Sequence, residues 1–376
     1  MRFDTKLVRA GQEPEPGTGD LVPAIHLSTG YDRRWQDPPR YFYGRGENPT
    51  REGLERCLAA LEDARFATTF ASGQAAAATV CSLVPPGHSV LCTDDVYPGT
   101  DALLALLTRQ GSRLRYADLS DPDQLTDALA TTPDLSLVWI ESPTNPLLKV
   151  VDIAAVRRQL VGREVLVVVD NTFAGPVFQQ PLALGTDLSL YSTTKSIAGH
   201  GDVLGGALVY QDSELHGRIR EYRTAAGNVP GALDCFLIHR GLKTLSLRAA
   251  RQNENALALV ELLSSSAAVG LVRYPGLKIH PQYAVAARQM AQPGSMVSFE
   301  YLGDPERLLN RLELFGCSVS LGGVASLIEC PALMSHRGLP AEVLARRGIT
   351  RSLIRLSAGI EDPHDLVEDL KAGLGR

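Results

Sequence analysis

SLYSTTKSIAGHGD, residues 189–202, is the stretch from which the rest of the chain can be read. Leu188, Leu190 and Tyr191 make a short apolar approach, as expected of a buried strand leaving a sheet. Ser192, Thr193 and Thr194 then place three hydroxyls before Lys195, and Gly199 and Gly201 loosen the backbone behind it. Only six of the 37 basic residues are lysine: Lys6, Lys149, Lys195, Lys243, Lys278 and Lys371. Where arginine is the default cation, a lysine at a strand end points to chemistry that needs an amine. A desolvated amine can lose its proton and attack a carbonyl; a guanidinium cannot. Taken alone, the stretch fits a surface lysine beside a hydroxyl-rich turn equally well.

The flanking sequence tips that balance. Strands are expected at 89–93, 113–116, 135–140 and 165–169, with helices at 99–110, 123–130 and 153–160 between them. This alternation predicts a mainly parallel sheet with helices on both faces, a fold in which ligands sit beyond the carboxyl ends of the strands. Asn145, Asp170 and Lys195 all fall at or just after such ends. Upstream, ATTFASGQAAAATVCSL (67–83) reads as a strand ending at Ser72-Gly73 and an alanine-rich helix, whose first amides suit a phosphate. A lone Ser-Gly before a helix is common, so this signal is weak by itself.

Residues 1–50 are rich in Gly and Pro and read as an arm: loop over 11–19, then an extended segment to Pro49 that needs something to lie on, a second subunit being one candidate. Thr50 is placed to cap a helix running to residue 65 through Leu54, Leu58 and Leu61. Residues 51–232 form the expected large domain. From 233 to 263 a helical pattern, interrupted at Gly241, leads into a smaller α+β domain over 233–376. That domain has strands at 296–301 and 352–356 and helices at 305–314 and 363–374.

Composition excludes several classes. The chain has 376 residues and a net charge of −5, with no basic run, so neither nucleic acid nor an anionic membrane is an expected partner. The longest strongly apolar run, 165–169, is far short of the ~20 residues that span a bilayer. The N-terminus MRFDTKLVRAGQ lacks a signal-peptide core. Six cysteines without a Cys-x-x-Cys pair indicate reduced thiols and a cytoplasmic protein. No metal-ligand spacing occurs among the histidines. Gly-x-Gly pairs at 17/19, 44/46 and 199/201 are followed by Val22, Pro49 and Leu204 where a dinucleotide fingerprint needs glycine, and there is no Walker loop.

An imine-forming lysine, a carboxylate two strand ends away and a phosphate cradle together fit pyridoxal 5′-phosphate (PLP). Lys195 would hold the aldehyde and shuttle protons, while Asp170 would keep the pyridine nitrogen protonated. Ser72, the Gly73 amide, Ser192 and Thr194 would take the phosphate. Tyr97, in a loop after a strand, is a candidate to cover the ring face.

The ordered set YFYGRGENPT, ASGQAA, VYPGT, ESPTNP, VVVDNTFA, YSTTKSIAGHGD, YPGL, SLGGV and LIRLSAGIED resembles the Cys/Met-metabolism family of PLP enzymes. That family includes cystathionine γ-lyase, γ-synthase and β-lyase and methionine γ-lyase. The resemblance implies an aspartate aminotransferase-like fold (fold type I) and a homotetramer of two dimers that share active sites. It implies Lys195 as the Schiff-base lysine, Asp170 as pyridine partner, and Ser72, Gly73, Gln74, Ser192 and Thr194 as phosphate ligands. Tyr43 and Arg45 correspond to a pair reaching the phosphate from the neighbouring subunit. Tyr97 corresponds to the stacking tyrosine and proton donor to the leaving sulfur, and Asn145 to a contact with the cofactor's phenolic oxygen. Arg355, with Ser320, resembles the site for the substrate α-carboxylate, where a guanidinium fork suits the geometry.

Gln74, Pro98, Gly99 and Gly201 depart from common family residues. More telling are Phe42, Val319 and Ala325, at positions where glutamate is common in relatives acting on cystathionine. Apolar residues there leave a distal ammonium unpartnered and favour a thioether such as methionine. The expected activity is γ-elimination from a sulfur amino acid such as methionine or cystathionine to 2-oxobutanoate, ammonia and a thiol. γ-Replacement on an O-acylhomoserine, β-elimination to pyruvate and a non-catalytic assembly protein are the alternatives.

Overall fold

The computed structural model describes residues 1–14, 17–32 and 40–375, and the alternating segments build a seven-stranded sheet. Its strands are β1 (Phe66–Phe70), β2 (Ser89–Thr93), β3 (Arg113–Ala117), β4 (Leu135–Glu141), β5 (Leu166–Asp170), β6 (Leu188–Tyr191) and β7 (Gly206–Tyr210). They lie in the order β1-β7-β6-β5-β4-β2-β3. The run from β6 to β3 is parallel, and β7 is antiparallel to both of its neighbours. The central strands are apolar on both faces because helices cover both. Val90, Leu137, Trp139 and Val168 pack on one side with the helices Gly73–Ser82 and Pro98–Arg109. Leu91, Val138, Ile140, Val167 and Val169 pack on the other with Pro122–Ala130 and Ile153–Gln159. Each side chain so buried stabilises the fold by ~1.5–3 kcal/mol relative to exposure.

A second sheet contains β8 (Val269–Arg273), β9 (Met296–Tyr301), β10 (Gly316–Cys317), β11 (Leu327–Glu329) and β12 (Leu353–Ser357), in the order β10-β11-β12-β9-β8. It buries Val297, Phe299, Ile328, Ile354 and Leu356 against the helices Leu245–Ser264 and Pro363–Gly373.

Several local expectations are corrected. The start of the arm is a helix, Phe3–Arg9, with Leu7 buried in its own chain. Parts of the expected loop and extended arm, residues 15–16 and 33–39, lie outside the described residues. The next helix is Pro49–Leu61, and Asn48, not Thr50, caps it by accepting the Arg51 N–H at 3.1 Å. The Thr50 hydroxyl instead ties down the arm, accepting the His26 N–H and donating to the Ala24 carbonyl. Gly241 does not break its helix; a Cβ there would meet the Ala198 carbonyl oxygen at 2.3 Å, and the break falls between Leu242 and Leu245. The helix expected to reach 314 ends at Leu309, because the Asp369 carboxylate accepts the Glu313 and Leu314 N–H groups.

One buried acid anchors the strand that delivers Lys195. Glu62 accepts the Tyr191 hydroxyl at 2.6 Å, the Ser189 hydroxyl at 2.9 Å and the Leu182 N–H at 3.3 Å. Burial pushes its carboxyl up to about 7 despite those bonds. The folded state therefore holds this proton more tightly than the unfolded chain does. The associated stability is complete below the ordinary glutamate pKa and is lost as pH rises through about 7. Urea unfolding should show a loss of about 3 kcal/mol across that window. Glu62→Gln should flatten the slope; an unchanged pH profile in that variant would assign the titration to another group.

Candidate active site

Strand ends bring several of the expected residues together. Lys195 follows β6 on a tight turn, its N–H donating to the Ser192 carbonyl at 3.1 Å. Its Nζ donates to Ser320 Oγ at 2.7 Å, across from the second sheet. Burial and the neighbouring Arg355 guanidinium lower its pKa, which Glu329 opposes. Both effects favour the free amine, the form that can attack a carbonyl. Ser320 is a non-glycine residue at φ +101°, a costly conformation of the kind that clusters at functional sites.

The turn is held rigidly. Arg248 donates to the carbonyls of Ser196 at 2.7 Å and of Gly241 at 2.8 Å. Gly199, at φ +76°, leaves room for that guanidinium, since a Cβ there would sit 1.9 Å from Arg248 Nη1.

Asp170 ends β5, with Glu141 as its register partner at the end of β4. Burial raises the Asp170 carboxyl to about 6 against hydrogen bonds from Thr172. Among the described residues no cation pairs with it, so a protonated ring nitrogen is the partner that its environment lacks. Glu141 is pushed up by burial and by Asp170, and it accepts the Tyr97 N–H at 2.9 Å. Tyr97 itself stands half-exposed at the start of the helix Pro98–Arg109.

The phosphate cradle is partly formed. Ser72 caps the helix Gly73–Ser82, its hydroxyl accepting the Ala75 N–H at 3.1 Å. The Gly73 and Gln74 amides have no hydrogen-bond partner among the described residues. They open towards Ser192, whose Cβ would lie 2.9 Å from a Cβ on Gly73. An anion with several oxygens fits this arrangement. The Gln74 side chain turns away to the Gly99 carbonyl at 2.8 Å. The Thr194 hydroxyl is engaged with Gly205, accepting its N–H at 2.9 Å and donating to its carbonyl at 3.2 Å.

Arg355, on β12, donates to Asn145 Oδ1 at 2.8 Å and to the Ser320 carbonyl at 3.0 Å. Thus Lys195, Ser320, Asn145 and Arg355 form one connected cluster. Tyr43 and Arg45 are placed elsewhere. The Arg45 guanidinium lies 5.6 Å from the Tyr43 ring centroid, and Arg45 faces the helix Ser213–Ala226 beside His216 and Arg220. Two buried arginines fix their loop: Arg51 donates to the Gly44 carbonyl at 3.0 Å and Arg223 to the Gly46 carbonyl at 3.2 Å.

Sequence reading passed over Glu141, Glu329 and Arg248. Glu329 had a usable signal, an acid inside the apolar run LIEC; Glu141 opened a quoted motif, ESPTNP. Arg248 had none, because its role depends on a contact distant in the chain.

The profile of the Cys/Met metabolism PLP-dependent enzymes matches residues 4–375. The cystathionine gamma-lyase of Dictyostelium discoideum is 42% identical, the match covering 100% of this chain and 98% of that one. The cystathionine gamma-synthase of Mycobacterium bovis is 43% identical, covering 99% and 96%. The crystal structure of CalE6 from Micromonospora echinospora, described as a cystathione gamma lyase, superimposes with a TM-score of 0.98 at 67% identity over 100% of both chains. An apo structure of CalE6, described as a methionine gamma lyase, gives 0.94 at 65% identity, covering 100% and 99%. The chain belongs to the Cys/Met metabolism family of PLP-dependent enzymes, with the fold type I architecture of its relatives.

Proposed function

We propose that this chain is a PLP-dependent carbon–sulfur γ-lyase acting on a small sulfur amino acid. The observation that carries this reading is the cluster in which a desolvated Lys195 amine lies one residue, Ser320, away from the buried Arg355 guanidinium. That spacing suits a molecule whose α-carbon must face a base while its carboxylate is held. The names of the relatives add support, since CalE6 is described both as a cystathione gamma lyase and as a methionine gamma lyase.

PLP supplies an aldehyde for an amine and an electron sink at the α-carbon. Asp170 would hold its ring nitrogen, and Asn145 its phenolic oxygen. Ser72, Gly73, Gln74, Ser192 and Thr194 would hold its phosphate, with Tyr43 and Arg45 arriving from a neighbouring copy. Arg355 and Ser320 orient the substrate, Asn145 bracing the guanidinium from the other side. Lys195 Nζ, with its lowered pKa, takes the α-proton and returns it further along the chain. Tyr97, anchored through its N–H by Glu141, gives a proton to the departing sulfur. On this reading residues 51–232 and 233–376 work as two domains with the site between them, and 1–50 as the arm of a homotetramer. All six cysteines are free, five of them buried, which suits a reducing cytoplasm.

Lys195→Ala should remove the visible band near about 420 nm expected when an amine holds the cofactor. A band that survives dialysis of that variant and is bleached by borohydride would place the linkage on another residue. Tyr97→Phe should keep the band and lower kcat about 100-fold or more; a change confined to KM would make Tyr97 a binding residue only.

Substrate preference is read from Phe42 and Val319, which are 65% and 47% exposed and carry no charge for a distal ammonium. Methionine, cystathionine, homocysteine and cysteine assayed side by side should give 2-oxobutanoate fastest from methionine. Phe42→Glu with Val319→Glu should shift kcat/KM towards cystathionine about tenfold, a difference of ~1.4 kcal/mol. An O-acylhomoserine converted only when cysteine is present would instead make the chain a γ-synthase.

A further inference from the structure

Behind the substrate side of Arg355 lies a carboxylate that the proposed chemistry leaves unused. Glu329 ends β11 and is the register partner of Arg355 on β12; the two residues are 1% and 4% exposed. Arg355 Nη2 lies 2.8 Å from Glu329 Oε1, and the same nitrogen donates to the Ser320 carbonyl. The Ser335 hydroxyl donates to that Oε1 at 2.9 Å. The same hydroxyl lies 2.8 Å from His336 Nδ1. Burial, with Arg355 and Arg347 nearby, lowers His336 to about 3, so the ring is neutral and brings no charge to Glu329. Glu329 Oε2 is buried and has no hydrogen-bond partner among the described residues. The guanidinium therefore has a counter-ion already, and half of that carboxylate is unsatisfied.

Two carboxylates on one buried guanidinium repel each other strongly at low dielectric. We propose that Glu329 is a resident counter-ion: it positions Arg355 in the empty site and competes with an incoming α-carboxylate for it. This rests on the reading of Arg355 as the residue that holds the substrate carboxylate. Glu329 keeps carboxylate binding weaker than the bare guanidinium would make it, so product as well as substrate can leave. A purely structural glutamate behaves differently on removal, since fold and binding then weaken together. Removing a competing counter-ion weakens the fold but tightens carboxylate binding.

The PLP-loaded protein and its Glu329→Gln variant are compared by thermal unfolding in sodium acetate and in sodium chloride at equal ionic strength. The wild type should melt at the same temperature in both salts. Glu329→Gln should melt several degrees lower in chloride and recover most of that loss in acetate, with acetate bound about tenfold more tightly than by wild type. Adding Arg355→Gln to the variant should abolish the acetate response. A response no larger than that of the wild type, or weaker acetate binding, overturns the proposal. Should Glu329→Gln fail to fold, Glu329→Asp retreats the charge by one methylene and should show a partial acetate response, none being the overturning result. Acetate is not turned over, so this outcome is independent of whether sulfur amino acids are cleaved; missing 2-oxobutanoate alone would overturn only the activity.

Discussion

The hydrogen bond from Lys195 Nζ to Ser320 Oγ joins the two sheets at the point where chemistry is expected, and both ends are prepared for it. On one side, Arg248 and Gly199 fix the turn after β6. On the other, Ser320 is forced into a left-handed backbone conformation that places its hydroxyl towards the amine and its carbonyl towards Arg355. Gly322 extends the fit, for a Cβ there would meet the Ser196 N at 2.6 Å. The amine is thus positioned by backbone packing from both halves of the chain, not by its own flexible stem. Such packing supplies the orientation from which proximity effects derive.

Around this contact the interior carries several ionisable groups, and each is handled by its surroundings. Glu62 and Asp170 have raised pKa values because burial outweighs the hydrogen bonds offered to them. Lys149 instead is raised by its pairing with Asp94 and Asp118, which overcomes its desolvation. This difference separates structural ion pairs from groups left poised. Lys149 ties the loop bearing Asn145 to the ends of β2 and β3, whereas Lys195 and Asp170 remain without an opposite charge in direct contact. The second condition costs stability and is tolerated where a ligand can provide the missing partner.

The parallel sheet and the places of Asn145, Asp170 and Lys195 at or just after strand ends were legible because both follow from local periodicity and from where strands stop. The ordered motifs extended that reading to Arg355 and Ser320, which no spacing argument could have linked to Lys195 over more than a hundred residues. Thr50 and Gly241 show the limits. Each has a residue type that suggests a helix boundary, yet each was set by a long-range contact: Thr50 by the folded-back arm, Gly241 by the close approach of Ala198. Glu329 and Glu141 were in view, but a buried acid declares itself only when its partner is known. Arg248 depends wholly on tertiary contacts that leave no local pattern.

The loop from Tyr43 to Glu47 has its carbonyls clamped by Arg51 and Arg223, and Glu47 is bound by Arg220 at 3.0 Å. The ordering of that segment is completed within its own chain. A second copy docking against it would meet a finished surface, with little chain entropy left to lose on association. If, as proposed, a neighbouring copy packs here, assembly would proceed as the meeting of rigid bodies, the loop keeping the same shape in a separate chain.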